Sequence, residues 1–261
     1  MSESGMAEQG GKPNATRGVF LITGGSRGIG AATATLAASR GYPVAIFYRE
    51  RDAEAQAVVK SIEQAGGRAM AMRVDMGDEH SIIAGFKAVD QFGRLEVLVN
   101  NAGIVGPVNR VDEVSYETLD SVCKINIIGP FIAAREAIHR MSTKRGGHGG
   151  SIVNVSSGAA VFGSPNVYVH YAATKGAIDT MTVGLSKEVS REGIRVNCVR
   201  PGLVETEIHS VRPQNQLENL IAKSPLGRIG QPEEIAETIV WLASPASSYV
   251  VGAILDARGG V

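Results

Sequence analysis

The chain has little cysteine and no net charge, and each shortage excludes a class of protein. Only two of its 261 residues are cysteines, Cys123 and Cys198, and their wide separation does not match the spacing of a metal site. Two isolated thiols suit a reducing compartment and buried packing roles. Lys and Arg (26) balance Asp and Glu (26), so the charge predicts no binding to nucleic acid or to an anionic membrane.

Long apolar runs are also missing. No run approaches the roughly 20 residues that a membrane helix needs, and residues 1–17 are too polar for the core of a signal peptide. We therefore predict a cytoplasmic protein with a disordered tail over 1–17. No Pro, Gly or Ser-rich linker divides the remainder, which predicts one domain over 18–261.

Glycine, in contrast, is abundant, with 32 residues, and one cluster of it stands out. Residues 19–23 are predicted to form a buried strand, four of the next seven residues are glycines, and a helix is predicted over 29–40. The first amides of such a helix lack partners and its dipole is positive there, which favours anions. Glycines let a pyrophosphate approach the backbone. The alternative interpretation is an ordinary turn between a strand and a helix.

Strands alternate with helices along the rest of the chain. Further strands are predicted over 44–48, 69–74, 97–99, 151–155, 195–199 and 253–256, and helices over 53–65, 79–92, 115–140, 171–191 and 232–242. Several strands are continuously apolar, which is typical of a parallel sheet covered on both faces. The sequence thus predicts the α/β class: a single doubly wound Rossmann domain of about seven parallel strands. Pro130 should bend or interrupt the helix over 115–140.

Seven short motifs follow one another in a specific order: Thr23-Gly-x-x-x-Gly-x-Gly30, Asp75, Asn100-Asn-Ala-Gly103, Asn126, Ser157, Tyr171-x-x-x-Lys175 and Pro201-Gly202. Each is weak alone. Together they make the chain resemble the classical short-chain dehydrogenase/reductase family over nearly all of 19–260. Within that family it is most similar to uncharacterised bacterial members often labelled sugar or polyol dehydrogenase-like. The resemblance implies an NADP(H)-dependent oxidoreductase that interconverts a carbonyl and an alcohol by hydride transfer.

The resemblance also implies a proton relay of Asn126, Ser157, Tyr171 and Lys175. Tyr171 and Lys175 are four residues apart, so they share a helix face. A nearby ammonium should lower the tyrosine pKa from about 10 towards the range useful for acid–base catalysis. Ser157, the second serine of a pair with Ser156, would help to polarise the substrate carbonyl. Asn126 would hold a water that connects Lys175 to solvent.

The segment between Ser157 and Tyr171 departs from the family pattern. The two residues are 14 positions apart, one more than in many members, which suggests an insertion within 164–170. His170, directly before Tyr171, has two interpretations. It is either a substrate contact or a partly exposed turn residue, and the second is favoured because neighbouring side chains do not share a helix face.

The implied cofactor site contains no metal. Asp75 would bond to the adenine amino group, Asn101 and Gly103 would line the adenosine ribose, and Val204 and Thr206 would contact the nicotinamide carboxamide and phosphate. The full predicted set of cofactor residues is Gly24, Ser26, Arg27, Gly28, Ile29, Gly30, Tyr48, Arg49, Asp75, Met76, Asn101, Ala102, Gly103, Tyr171, Lys175, Pro201, Gly202, Val204 and Thr206.

A substrate lid is predicted over 205–224. Four of its side chains favour a polar substrate, namely His209, Arg212, Gln214 and Asn215. Substrate identity stays open among sugars, polyols, 3-oxoacyl thioesters, steroids and small ketones.

Two arginines predict that NADP(H) is preferred over NAD(H). NAD-preferring enzymes of this fold commonly carry an acidic residue at the end of the second strand, where this chain has Tyr48 followed by Arg49. Arg27 should lie on the other side of the same ribose. Two guanidiniums could then hold one 2′-phosphate, although Glu50 could divert Arg49 and weaken the preference.

The resemblance further implies a homotetramer that pairs through the helices over 115–140 and 171–191, with a second interface at the helix over 232–242. Two alternative functions are open. A non-catalytic nucleotide-binding sensor or scaffold is disfavoured by the complete relay, and an epimerase or enoyl reductase of the same fold by the compact length and the Ser–Tyr pair.

Overall fold

The computed structural model describes residues 17–206, 221 and 224–260. Residues 1–16, most of the predicted lid and the lid side chains His209, Arg212, Gln214 and Asn215 lie outside the described residues. Seven strands form one parallel sheet: β1 (Val19–Thr23), β2 (Val44–Tyr48), β3 (Ala69–Arg73), β4 (Leu95–Asn100), β5 (Gly150–Val155), β6 (Ile194–Pro201) and β7 (Ile254–Ala257). The helices include α1 (Gly28–Ser39), α2 (Asp52–Gln64), α3 (Glu79–Phe92), α4 (Tyr116–Cys123), α5 (Gly129–Met141), α6 (Ala159–Phe162), α7 (Val169–Val189) and α8 (Pro232–Ala243).

The sheet order confirms the predicted doubly wound fold. The strands follow the order β3-β2-β1-β4-β5-β6-β7, so the chain builds outwards from β1 in one direction and then from β4 in the other. β1 therefore has β2 on one side and β4 on the other. The carboxyl ends of these central strands form the crevice where ligands bind in such sheets.

Two separate apolar clusters explain why the strands are continuously apolar. Successive strand residues point to opposite faces, so Leu21 and Leu98 join one cluster while Ile22 and Val99 join the other. Helices cover both clusters, and all four side chains are fully buried. The central strands thus have no solvent-facing side on which to place polar residues, whereas the edge strands β3 and β7 are only partly buried.

The helix predicted over 115–140 is interrupted, as Pro130 predicted. α4 gives way to a π-helical stretch, Lys124–Ile128, before α5 begins. The Gly129 amide bonds to the Lys124 carbonyl, five residues earlier. Pro130 has no N–H for the carbonyl four residues earlier, that of Asn126, so a regular α-helix cannot continue there. The widened turn therefore forms around a predicted relay residue.

Some predicted element boundaries were wrong. β4 and β6 are longer than predicted, α7 begins two residues earlier, and the short α6 was not predicted at all. Within the described residues, no helix is both long and apolar enough to cross a membrane.

Arg195 on β6 anchors the end of α8. Its guanidinium donates hydrogen bonds to four carbonyl oxygens that follow or end this helix, those of Leu242, Ala243, Ser244 and Ser247, at 2.8–3.1 Å. The last carbonyls of a helix have no hydrogen-bond partner within it, and the helix dipole is negative at this end. A cation there satisfies the carbonyls and interacts favourably with the dipole. Arg195 thus joins the sheet to the helix that covers one of its faces.

We expect Arg195→Ala to destabilise the protein by about 3 kcal/mol, because several charge-assisted hydrogen bonds disappear together. For a domain of this size the melting temperature should fall by roughly 6–12 °C, measurable by calorimetry. Arg195→Lys retains the charge without the planar fork of donors and should recover only part of the loss. A fall in melting temperature below about 2 °C for the alanine variant would contradict this role.

Candidate active site

A cleft of about 1260 Å³ opens at the carboxyl ends of the central strands. Most of the predicted cofactor residues line it: Gly24, Ser26, Arg27, Gly28, Ile29, Gly30, Tyr48, Arg49, Asp75, Met76, Asn101, Ala102, Gly103 and Thr206. Glu50, Arg51, Ile104 and Ile125 also line the cleft and were missed. The side chains that meet there come from distant parts of the chain because parallel strands end at one edge of the sheet.

The glycine turn between β1 and α1 is shaped to admit a ligand next to the backbone. A Cβ added at Gly30 would lie 2.2 Å from the Gly24 carbonyl oxygen, so no other residue fits there. Gly24 itself has φ +67°, which side chains disfavour. Arg27, at the N-cap of α1, makes no side-chain cap hydrogen bond in the described structure. The first amides of α1 therefore suit the pyrophosphate of a dinucleotide.

Asn101 ties the end of β4 to this turn. Its Nδ2 donates to the carbonyl oxygens of Thr23 and Gly24 at 2.9 and 3.0 Å. The Thr23 hydroxyl oxygen in turn accepts from the amides of Asn101 and Ala102, both at 3.0 Å. These bonds hold two strand ends in a fixed relation at the floor of the cleft. The predicted contacts of Asn101 with ribose and of Asp75 with adenine stay predictions.

Tyr171, on α7, lies beside Ser157, which follows β5. The Ser157 side chain lies near the Tyr171 phenol and acts on its pKa as a hydrogen-bond partner, while the Ser157 Oγ accepts from the Ala159 amide at 3.1 Å. The neighbouring serine faces elsewhere, because the Ser156 hydroxyl donates to the Lys175 carbonyl oxygen on α7 at 3.1 Å. Of the two serines, it is thus Ser157 that contacts the tyrosine.

The pKa of Tyr171 differs from the expectation. Part of the residue is accessible, yet burial of its phenol raises the pKa above the usual value, and the hydrogen bond from Ser157 only partly opposes this. The prediction that Lys175 lowers it was therefore wrong for this structure. Burial disfavours the phenolate, and the Lys175 Nζ lies 5.7 Å from the centre of the tyrosine ring while donating to the Val155 carbonyl at 2.8 Å. Burial thus favours the neutral phenol of Tyr171 in this structure.

Lys175 is buried, and burial lowers its pKa to about 8. The nearby carboxylate of Asp179 opposes this shift. Asp179 was missed, although it lies one further turn along the helix face of Tyr171 and Lys175. Its carboxylate accepts two hydrogen bonds from Arg200, at 2.8 and 3.0 Å. The i, i+4, i+8 spacing is the signal that could have found it.

The Asn126 side chain is hydrogen-bonded to the loop after β4. Its Oδ1 accepts from the Ile104 amide at 2.9 Å, and its Nδ2 donates to the Ile104 carbonyl at 2.8 Å. A Cβ on Gly103 would lie 3.3 Å from this Oδ1 and 3.5 Å from the Lys175 Nζ. Asn126 and Lys175 therefore meet at Gly103, which lines the cleft.

The remaining predicted residues lie around the end of β6. The Pro201 carbonyl accepts from the amide of Gly158, and Gly202 packs against the backbone of Arg258. The Val204 side chain is buried in the core, so only its backbone can reach a ligand. Thr206 lies over the glycine turn, where a Cβ on Gly28 would be 3.2 Å from its methyl group.

His170 is not a partly exposed turn residue, because it is buried in the first turn of α7. Its Nε2 lies 2.9 Å from the Val105 carbonyl oxygen. A Cβ on Gly106 would be 3.1 Å from the same nitrogen. His170 thus supports the loop after β4. No group of three or more metal-ligating side chains occurs in residues 17–206, 221 and 224–260.

A family model described as enoyl-(acyl carrier protein) reductase matches residues 24–261. That model is one of the short-chain dehydrogenase/reductase family, and it matches well over half of the chain. The chain is a short-chain dehydrogenase/reductase. The predicted resemblance is thereby confirmed, and with it the class of NAD(P)-dependent oxidoreductase enzymes.

Relatives support the same membership over nearly the full chain. An uncharacterized oxidoreductase of Escherichia coli, YgfF, is 49% identical and covers 93% of this chain and 99% of its own length. L-Rhamnose 1-dehydrogenase (NAD(P)(+)) of a Sphingomonas species is 39% identical, covering 92% and 94%. A blue fluorescent protein from a metagenomic library, solved in complex with NADPH, is 33% identical with a TM-score of 0.86, covering 93% and 96%.

Proposed function

We propose that this short-chain dehydrogenase/reductase uses NADP(H) to interconvert a carbonyl and an alcohol, with Ser157, Tyr171, Lys175 and Asn126 as its proton relay. The observation that carries the proposal is the proximity of the Ser157 and Tyr171 side chains to a buried Lys175, whose Nζ lies 5.7 Å from the centre of the tyrosine ring. This group lies next to Gly103, and so next to the cleft with the glycine turn.

Each relay residue has a distinct task. A bound nicotinamide supplies or accepts the hydride. In reduction, the Ser157 hydroxyl donates a hydrogen bond to the substrate oxygen while the Tyr171 hydroxyl transfers its proton to that oxygen. The protonated form of Lys175, with its Nζ 5.7 Å from the centre of the tyrosine ring, offsets only part of the cost of burying the phenolate that Tyr171 then becomes. The main-chain carbonyl of Asn126 lacks its regular α-helical donor because residue 130 is a proline. This carbonyl holds the water through which Tyr171 regains its proton.

Reduction of a conjugated carbon–carbon double bond is the second candidate function, because the matching family model is described as an enoyl reductase. The contact between Ser157 and Tyr171 favours a carbonyl, since two donors converge where one oxygen would bind. The test is NADPH fluorescence with panels of sugars, polyols, ketones, steroids, 3-oxoacyl thioesters and enoyl thioesters. Turnover of enoyl thioesters alone would contradict the proposal in favour of the second candidate.

NADP(H) is proposed as the preferred cofactor because Arg27 and Arg49 line the cleft and Tyr48 provides no carboxylate there. The preference should be modest. Arg49 is paired with Glu50 at 2.9 Å, the diversion that the sequence suggested. The NADPH complex of the metagenomic relative supports the same choice.

We also propose a cytoplasmic location and a single domain over 18–261. Two free cysteines suit a reducing compartment, and both lie within that domain. The seven-stranded sheet runs from Val19 to Ala257 without a second sheet among the described residues. Residues 1–17 are proposed to be a tail outside it.

A homotetramer is proposed from two apolar surfaces. Tyr116, Phe131 and Val183 are exposed on α4, α5 and α7, while Trp241 and Val251 are exposed near α8 and β7. Apolar side chains exposed on neighbouring elements favour protein contacts. Light scattering should therefore give a mass four times the 27.4 kDa of the chain. A monomer at micromolar concentration would refute the proposal.

A further inference from the structure

The adenosine end of the cleft carries more charge than the two predicted arginines. Arg27, Arg49, Arg51 and Glu50 line it, and Glu54 stands behind them in the first turn of α2. We call these five residues the arginine cluster. It contains three cations and two carboxylates, and both carboxylates are bonded to arginines of the cluster.

Arg51 has an unusual backbone at this point. Its φ is +71° in the left-handed region, and it occupies the N-cap position of α2. A residue with a Cβ is disfavoured there, and such conformations cluster at ligand clamps. Arg51, with this strained backbone, is itself one of the residues that line the cleft.

Glu54 presents a carboxylate to Arg51. Its Oε1 lies 3.1 Å from the Arg51 Nη1, and 44% of its side chain is exposed. Hydrogen bonds from its own backbone amide and from the Arg51 side chain lower the pKa of Glu54, and the charges of Arg51 and Arg27 add to this effect, so Glu54 is ionised at neutral pH. A carboxylate and a phosphate accept the same paired donors of a guanidinium.

We propose that Arg51 is a specificity-determining residue that binds the 2′-phosphate of NADP(H), and that Glu54 competes with this phosphate for it. This inference rests on the proposed preference for NADP(H) over NAD(H). It holds that the size of that preference depends in part on Arg51 and Glu54. Glu54 thereby reduces the gap between NADP(H) and NAD(H), because the phosphate must displace an anion that NAD(H) leaves in place.

The test is isothermal titration of the full chain with adenosine 2′,5′-bisphosphate and with 5′-AMP, which differ only in the 2′-phosphate. Arg51→Ala should weaken binding of the bisphosphate by about five- to thirtyfold and leave 5′-AMP unchanged. Glu54→Gln should strengthen binding of the bisphosphate by about two- to fivefold, less at high salt. Glu63→Gln removes the same charge from the exposed end of α2 and should change neither ligand.

The outcomes separate this inference from the proposed function. If Arg27→Ala and Arg49→Ala weaken bisphosphate binding while Arg51→Ala does not, the role of Arg51 is overturned and the NADP(H) preference stands. Weaker bisphosphate binding by Glu54→Gln, or no change, would overturn the competition. If the unaltered protein binds both ligands equally, the NADP(H) preference itself is wrong.

Discussion

Tyr171→Phe should reduce kcat by about 10²–10⁴-fold, the usual contribution of a general acid, while the affinity for NADPH stays nearly unchanged. The substitution removes only the hydroxyl that bonds to Ser157, and the ring still packs against α7 and Lys175. Stopped assays on a confirmed substrate, together with fluorescence titration of NADPH, would measure the two effects separately. A variant that keeps more than about a tenth of the rate would contradict the assignment.

The paired serines provide a matched control for this prediction. Ser157→Ala removes the hydroxyl in contact with Tyr171 and should also lower kcat. Ser156→Ala removes an equivalent hydroxyl that is directed at the α7 backbone instead, and it should leave kcat close to that of the unaltered protein. Equal losses in the two variants would mean that the region is merely sensitive to packing.

Arg27→Ala and Arg49→Ala should each lower kcat/KM with NADPH by roughly tenfold and leave kcat/KM with NADH unchanged. Each guanidinium is expected to donate charge-assisted hydrogen bonds to the 2′-phosphate, a group that NADH does not have. The loss for Arg49 should be the smaller one, because its pairing with Glu50 already occupies part of its donors.

Steady-state measurement of kcat/KM with NADPH and with NADH tests this prediction. Arg191→Ala, in the exposed turn after α7, removes the same charge away from the cleft and should affect neither cofactor. Equal kcat/KM of the unaltered protein with NADPH and with NADH would refute the preference. Normal binding of NADPH by both Arg27→Ala and Arg49→Ala would refute it as well.

Periodicity and short motifs were enough to predict much of this protein. Continuous apolar stretches predicted strands buried on both faces, because only a parallel sheet between two helix layers removes all strand faces from water. The glycine turn and Asn101 were both assigned to the cofactor site, and they lie together because parallel strands end at one edge of the sheet. Pro130 predicted the interrupted helix because a missing N–H is a property of the residue itself.

Other properties depend on neighbours that are distant along the chain. The raised pKa of Tyr171 reflects burial of the phenol, which overcame the effect expected from a lysine four residues away. The burial of His170 follows from the loop after β4.

The amino-acid sequence by itself thus determined the fold class, the family and the residue types of the candidate site, because these follow from local patterns and their order. Only the tertiary structure decided that the Lys175 Nζ donates to the Val155 carbonyl at the end of β5 and that Arg51 pairs with Glu54 beside the cleft. Hydrogen bonds and desolvation act through space over a few ångströms, and it is the packing of α7 on β5 and of α2 beside the glycine turn that sets those distances.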